Sequence, residues 1–316
     1  MKYNFDPELA EIIAMLPESD FSDPVAAREG NKDLLAAINA SVDISALQVE
    51  DRMIHRPEGA PDVQIRIYAP RNRGYSPLPG LLYIHGGGFV VGSIDTEHVF
   101  PVMVAAQLGI IVVSVDYRLA PENPFPSGLE DCYATLNWMY NSAPDLNIDA
   151  NRIGVCGQSA GGGLAAALAL LTRDRGGPNL CFQFLGIPEL DDRLETTSMR
   201  TFLDTPLINR TTVELSWKHY LGENIIPGSP DVSPYAAPAR ATNLSGLPPA
   251  YISAMEFDPL RDEGVIYALR LMQAGVPVEL HTYPGAFHGC SVVTTAAVSQ
   301  RLRSETLDVL RRGLHI

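Results

Sequence analysis

Positive charge is scarce in this chain. Against 37 aspartates and glutamates stand 23 lysines and arginines, which leaves a formal net charge of −14 over 316 residues. A surface of that sign repels phosphate backbones and anionic lipid, so a nucleic-acid binder or a membrane-surface binder is disfavoured. Cysteine is scarce as well. Cys132, Cys156, Cys181 and Cys290 are widely spaced with no CxxC pair, which supports neither a disulfide framework nor a zinc knuckle, and buried free thiols are the expectation. No apolar run approaches the roughly 18 residues of a membrane-spanning helix. The first residues also lack the basic-then-apolar pattern of a secretory leader, and the expectation is a soluble, cytoplasmic protein. Internal repeats, low-complexity tracts and long linkers are missing, which argues against a solenoid or a loosely tethered second domain.

What the sequence does contain is an alternation of strands and helices. Val63, Ile65 and Ile67 alternate with Gln64, Arg66 and Tyr68, the period-two pattern of a half-buried, antiparallel strand. Later runs are continuously apolar, at 81–84, 110–115, 153–156, 182–187, 251–253 and 278–283, as in parallel strands buried on both faces. Helical stretches lie between them at 97–108, 129–141, 160–173, 261–274 and 292–312. The expected fold is α/β, a mostly parallel central sheet with helices on both faces. Two regions stand outside the rhythm. Residues 1–48 contain two short helices, 7–16 and 24–39, each opened by an Asp-Pro pair, and 189–234 is helical without a core strand. These two are expected to form a cap over a core made of 49–188 and 235–316, covering the carboxyl edge of the sheet where α/β proteins bind ligands.

Chemistry concentrates at Gly157-Gln158-Ser159-Ala160-Gly161, a G-x-S-x-G set between an apolar strand and an alanine-rich helix. That context suits a nucleophile elbow, in which the serine hydroxyl projects from a tight strand-to-helix turn. Upstream, His85-Gly86-Gly87-Gly88-Phe89 follows the strand at 81–84. Consecutive glycines let backbone N–H groups face a cavity and stabilise an oxyanion together with the N–H of Ala160. A dinucleotide fingerprint is a poor fit, because the next glycine, Gly92, comes one residue too late.

A serine nucleophile of this kind needs an acid and then a histidine downstream. Of His219, His281, His288 and His315, only His288 lies in a loop just after the last strand. Asp258 falls in the loop after the strand at 251–253, whereas Glu256 lies nearer the strand and Asp262 enters the next helix. The expected set is Ser159, His288 and Asp258.

Together HGGGFVVGS at 85–93, DYRLAPE at 116–122, GQSAGGG at 157–163, DPLRDE at 258–263 and FHG at 287–289 resemble the bacterial hormone-sensitive-lipase-like esterases. These are capped α/β-hydrolases with an HGGG oxyanion loop. The resemblance spans nearly the whole chain, and the stretch 188–196 looks especially like acetylesterases of that family. It implies hydrolysis of short-chain carboxylic esters through an acyl-enzyme, with no metal or organic cofactor and a small-molecule ester as partner. It also places Gly87 and Gly88 as oxyanion donors beside Ala160, with Gly86 shaping the turn, although residue types alone leave open which two of the three glycines donate. The 116–122 segment is expected to brace the loop beneath HGGG, with Asp131 joining it. One departure is visible: Gln158 stands where the family usually carries Asp or Glu.

Other readings stay open at this point. A non-catalytic small-molecule receptor could use the same fold, and an amidase or acyl transferase could use the same three residues. The final strand near 278–283 is expected at a sheet edge, where a homodimer could form.

Overall fold

The computed structural model describes residues 3–16, 20–29, 32–56 and 59–316. Its centre is one eight-stranded sheet built from β1 (Leu47–Ile54), β2 (Val63–Pro70), β3 (Leu78–Ile84), β4 (Ile111–Asp116), β5 (Ile148–Gln158), β6 (Phe182–Gly186), β7 (Ala250–Phe257) and β8 (Val278–Phe287). The spatial order is β1-β2-β4-β3-β5-β6-β7-β8. β2 runs antiparallel to both neighbours, β1 and β4, and every later pairing is parallel. Five of the six continuously apolar runs form inner strands, as expected of strands covered on both faces, whereas the run at 278–283 forms the only partly buried β8. β8 is indeed the edge.

Eleven α-helices are present among the described residues: α1 (Pro7–Ala10), α2 (Pro24–Glu29), α3 (Lys32–Ser41), α4 (Val99–Leu108), α5 (Ser127–Asn141), α6 (Ala143–Leu146), α7 (Ala160–Arg175), α8 (Thr197–Thr201), α9 (Arg210–Leu221), α10 (Arg261–Gln273) and α11 (Ala297–Gly313). The strand period of two sorts the core into two layers. Leu82, Val113, Val155 and Ile252 join the core cluster that also holds residues of α5, α7 and α10. Leu81, Val112, Cys156 and Tyr251 belong to the cluster with residues of α4 and α11. The result is a three-layer sandwich. α7, in one of the helical layers, is buried at every position from Ala160 to Thr172.

Several boundaries differ from expectation. The 7–16 helix is only one turn of α1 followed by a 3₁₀ turn at Ile13–Met15, and Asp6 caps α1 by accepting from Glu8 N–H. The expected 24–39 helix corresponds to α2 and α3, the latter running on to Ser41, and its positions 30 and 31 lie outside the described residues. The 292–312 helix starts later, because a 3₁₀ turn occupies Cys290–Val292 and α11 opens at Ala297. β1 is an addition. Only its ends, Leu47 and Ile54, are buried, so its sequence shows little apolar periodicity. Three cysteines are buried and Cys181 is half-buried, all as free thiols.

The amino-terminal segment and the 189–221 region touch each other. Tyr3 hydroxyl donates to Asp204, and His219 Nε2 donates to the carbonyl of Phe21. Arg28 on α2 forms a two-pronged ion pair with Glu122 and donates to the carbonyls of Val90 and Ala120.

Candidate active site

β5 ends at Gln158 and α7 begins at Ala160, so Ser159 alone makes the turn between them. Its backbone sits at φ 55° and ψ −125°, a conformation that costs a non-glycine residue on the order of 1–3 kcal/mol and persists only when its surroundings hold it. The flanking glycines supply that hold by close approach. A Cβ on Gly157 would lie 2.1 Å from the carbonyl oxygen of Gly161, and one on Gly161 would lie 2.2 Å from that of Ile84.

His288 follows the last residue of β8, and Asp258 follows β7. His288 Nδ1 lies 2.7 Å from Asp258 Oδ2, and Nε2 lies 3.0 Å from Ser159 Oγ. The second carboxylate oxygen of Asp258 accepts the backbone N–H of Leu260 at 2.8 Å. Asp258 is fully buried and His288 is 4% exposed. A carboxylate with one oxygen already satisfied can only accept at the other, so the His288 proton belongs on Nδ1. Nε2 is then free to accept from the serine.

The alternatives point elsewhere. Glu256 accepts the N–H of Gly285, and Asp262 accepts that of Ser198 from the first turn of α10. His281 lies between Glu279 and Glu305 on the edge strand, His219 holds Phe21, and His315 is exposed at the end of the chain.

Gly86, Gly87 and Gly88 line the loop after β3. Gly87 and Gly88 have φ of 109° and 56°, and the N–H groups of all three glycines find no protein acceptor among the described residues. The N–H of Ala160, at the start of α7, has no intrahelical partner by construction. Neutral His85 braces this loop. Burial pushes its pKa down to about 4, its Nδ1 donates to the carbonyl of Gly86 at 2.8 Å, and its ring stacks on Tyr117 at 4.1 Å.

Beneath the loop, Asp131 is 1% exposed and takes a two-pronged contact from Arg118 and a third from Arg56. Asp116 accepts the N–H of Ile94. The 116–122 segment is therefore a brace, as expected, with Asp131 as its hub.

Sequence reasoning missed three contributors around the loop. Phe21 packs over Gly88, where a Cβ would lie 2.5 Å from the ring. Ser216 of α9 touches both the Gly88 carbonyl and the carboxyl of Glu189. The Glu189 N–H donates to the Ser159 carbonyl at 3.1 Å. Nearby, Trp217 is fully buried against Phe89, and Leu207 adjoins Gly289 beside His288. Phe202 instead packs on Tyr3 and Phe257.

Residues 81–292 match the family described as having the alpha/beta hydrolase fold. The chain belongs to this family. It is 41% identical over 285 residues to the carboxylesterase NlhH of Mycobacterium tuberculosis, covering 85% of this chain and 84% of that protein. The solved structure titled bacterial heroin esterase superposes with a TM-score of 0.95 at 53% identity, covering 98% of each chain. The esterase LipW of Mycobacterium marinum gives a TM-score of 0.89 at 36% identity, covering 99% and 97%. The chain is a carboxylic ester hydrolase of the hormone-sensitive-lipase-like group.

Within this α/β-hydrolase the departure at Gln158 has a local reason. Its side chain packs against Gly186 and lines a cavity of about 20 Å³ with Ser253, Met255, Cys290 and Thr306, none of them charged. A carboxylate there would find no cation among the lining residues, and the neutral amide avoids that cost. Among the described residues no group of three or more His, Cys, Asp or Glu side chains is arranged to hold a metal ion, and no helix is long and apolar enough to cross a membrane.

Proposed function

We propose that the chain hydrolyses short-chain, acetyl-like esters through an acyl-enzyme on Ser159. The observation that carries this reading is the continuous contact from Asp258 through His288 to Ser159 Oγ, at 2.7 and 3.0 Å. His288 Nε2 takes the hydroxyl proton as Ser159 attacks the ester carbonyl, and Asp258 holds the tautomer and stabilises the imidazolium. The N–H groups of Gly87, Gly88 and Ala160 receive the oxyanion, each donor contributing about 3 kcal/mol to the transition state. His288 then protonates the leaving alcohol, and water releases the acid by the same route.

Two features support a small acyl group. Phe21, Ser216 and Glu189 fill the space around the oxyanion loop, and the relative at 53% identity is titled a heroin esterase, heroin being an acetate ester. Residues 1–48 and 189–234 act as a cap, supported by the bonds of Tyr3 to Asp204 and of His219 to Phe21. β8 leaves one strand edge unpaired and serves as a homodimer surface.

The test is Ser159→Ala against a chromogenic acetyl ester. Turnover falls by several orders of magnitude with the fold intact. Full turnover in the purified variant would overturn the assignment.

A further inference from the structure

Glu189 is a buried carboxyl for which the acyl-enzyme chemistry has no use. It is 2% exposed and follows β6 by a short turn, in touch with three parts of the site at once. Its backbone N–H donates to the Ser159 carbonyl, and its own carbonyl packs so closely on α7 that a Cβ on Gly163 would lie 2.1 Å away. Its carboxyl Oε1 lies 2.8 Å from Ser216 Oγ, which lies 2.9 Å from the carbonyl oxygen of Gly88. The chain of contacts runs from the nucleophile elbow, through α9, to the oxyanion loop.

Counting protons along that chain decides its state. Ser216 has one hydroxyl proton, and the Gly88 carbonyl can only accept. If Glu189 is ionised, two acceptors face one proton, and one of the two short contacts becomes a repulsion between oxygens. If Glu189 is protonated, its O–H donates to Ser216 and Ser216 donates to Gly88, so both contacts are hydrogen bonds.

We propose that Glu189 is a positioning residue that holds the oxyanion loop through Ser216 only while its carboxyl carries a proton. The groups facing it are Asp258 after β7, Glu263 on α10, Tyr220 on α9 and Tyr117 after β4, and none of them is a cation that would stabilise its charge. Burial pushes its pKa up, the Ser216 contact offsets part of that rise and the charge of Asp258 adds to it, for a value of about 8. Above that pH the relay loses its proton. The Gly88 peptide is then released beside a new negative charge, where an oxyanion has to form.

This inference rests on the acyl-enzyme reading, and its test separates the two. The pH profiles of kcat and KM are measured from pH 6 to 10 for the wild type, Glu189→Gln and Ser216→Ala, with organophosphonate titration of Ser159 in each. In the wild type kcat falls above about pH 8 while KM holds. Glu189→Gln keeps a permanent N–H donor toward Ser216, so its plateau extends at least about one pH unit further, with kcat at pH 7 within a few-fold of the wild type. Ser216→Ala cuts the link to Gly88 and lowers kcat roughly tenfold at neutral pH, with KM little changed and the alkaline limb flattened. Full labelling of Ser159 in all three proteins with one unchanged alkaline limb would overturn the relay and leave the acyl-enzyme standing. Failure of folded wild-type protein to label at Ser159 would overturn both.

Discussion

Gly161 packs against the carbonyl oxygen of Ile84 so closely that a Cβ would lie 2.2 Å from it. This contact joins the first turn of α7 to the end of β3, and so fixes the nucleophile elbow relative to the oxyanion loop that begins at His85. Backbone meets backbone there, and no flexible side chain can give way. Gly161→Ala must therefore push the two apart. The expected result is a loss of kcat of about 10²-fold or more with a smaller change in KM, since misplacing catalytic groups by about 1 Å costs that much. Steady-state kinetics on the folded variant check it.

Asp131 is the second structural target. It is 1% exposed and gathers Arg118 and Arg56, whose side chains are 28% and 15% exposed. Removing a buried carboxylate strands its partners, but arginines that reach water recover part of the loss. Asp131→Ala is expected to destabilise the fold by about 2–3 kcal/mol. Urea denaturation measures it, and a change under about 0.5 kcal/mol would show that the brace is redundant.

The three candidate residues were legible in the sequence because each sits at a strand end. Ser159, Asp258 and His288 follow β5, β7 and β8, and a strand-end position can be read from a run of apolar residues ahead of it. The inner strands were legible for the same reason. β1 was not, because an edge strand reading LQVEDRMI buries only its two ends. Glu189 and Ser216 were also out of reach. Their contact closes across 27 residues, and that of Ser216 with Gly88 across 128, so no local pattern announces either. The one available signal for Glu189 is a carboxylate directly after Pro188, just past a fully buried strand.

Stability should fall as pH rises above neutrality. Glu189 has its pKa raised from 4.5 to about 8, and burial also raises Glu97, Asp116 and Glu263. Across that window the folded protein keeps protons that the unfolded chain has released, so stability declines with pH. His85, lowered from 6.5 to about 4, acts in the opposite sense, but only below about pH 6.5. The net decline therefore shows between about pH 6.5 and 8, with Glu189 contributing on the order of 1 kcal/mol per pH unit. Thermal melts of the wild type and Glu189→Gln check it: the variant should lose stability less steeply over that interval.

The exposed edge of β8 predicts a homodimer in solution. Thr282 is exposed on that strand, and a lysine there would face its own copy across a two-fold axis. Light scattering should give twice the chain mass for the wild type and the single-chain mass for Thr282→Lys. A monomeric wild type at working concentration would contradict the edge pairing.

The central claim is that Ser159, held by His288 at 3.0 Å, is the nucleophile. Its most direct test is intact-protein and peptide mass spectrometry after treatment with a chromogenic organophosphonate. The expected result is one adduct per chain, on the peptide carrying Ser159, forming in step with loss of acetylesterase activity and absent from Ser159→Ala. An adduct on another residue, or activity lost without modification of Ser159, would contradict the account.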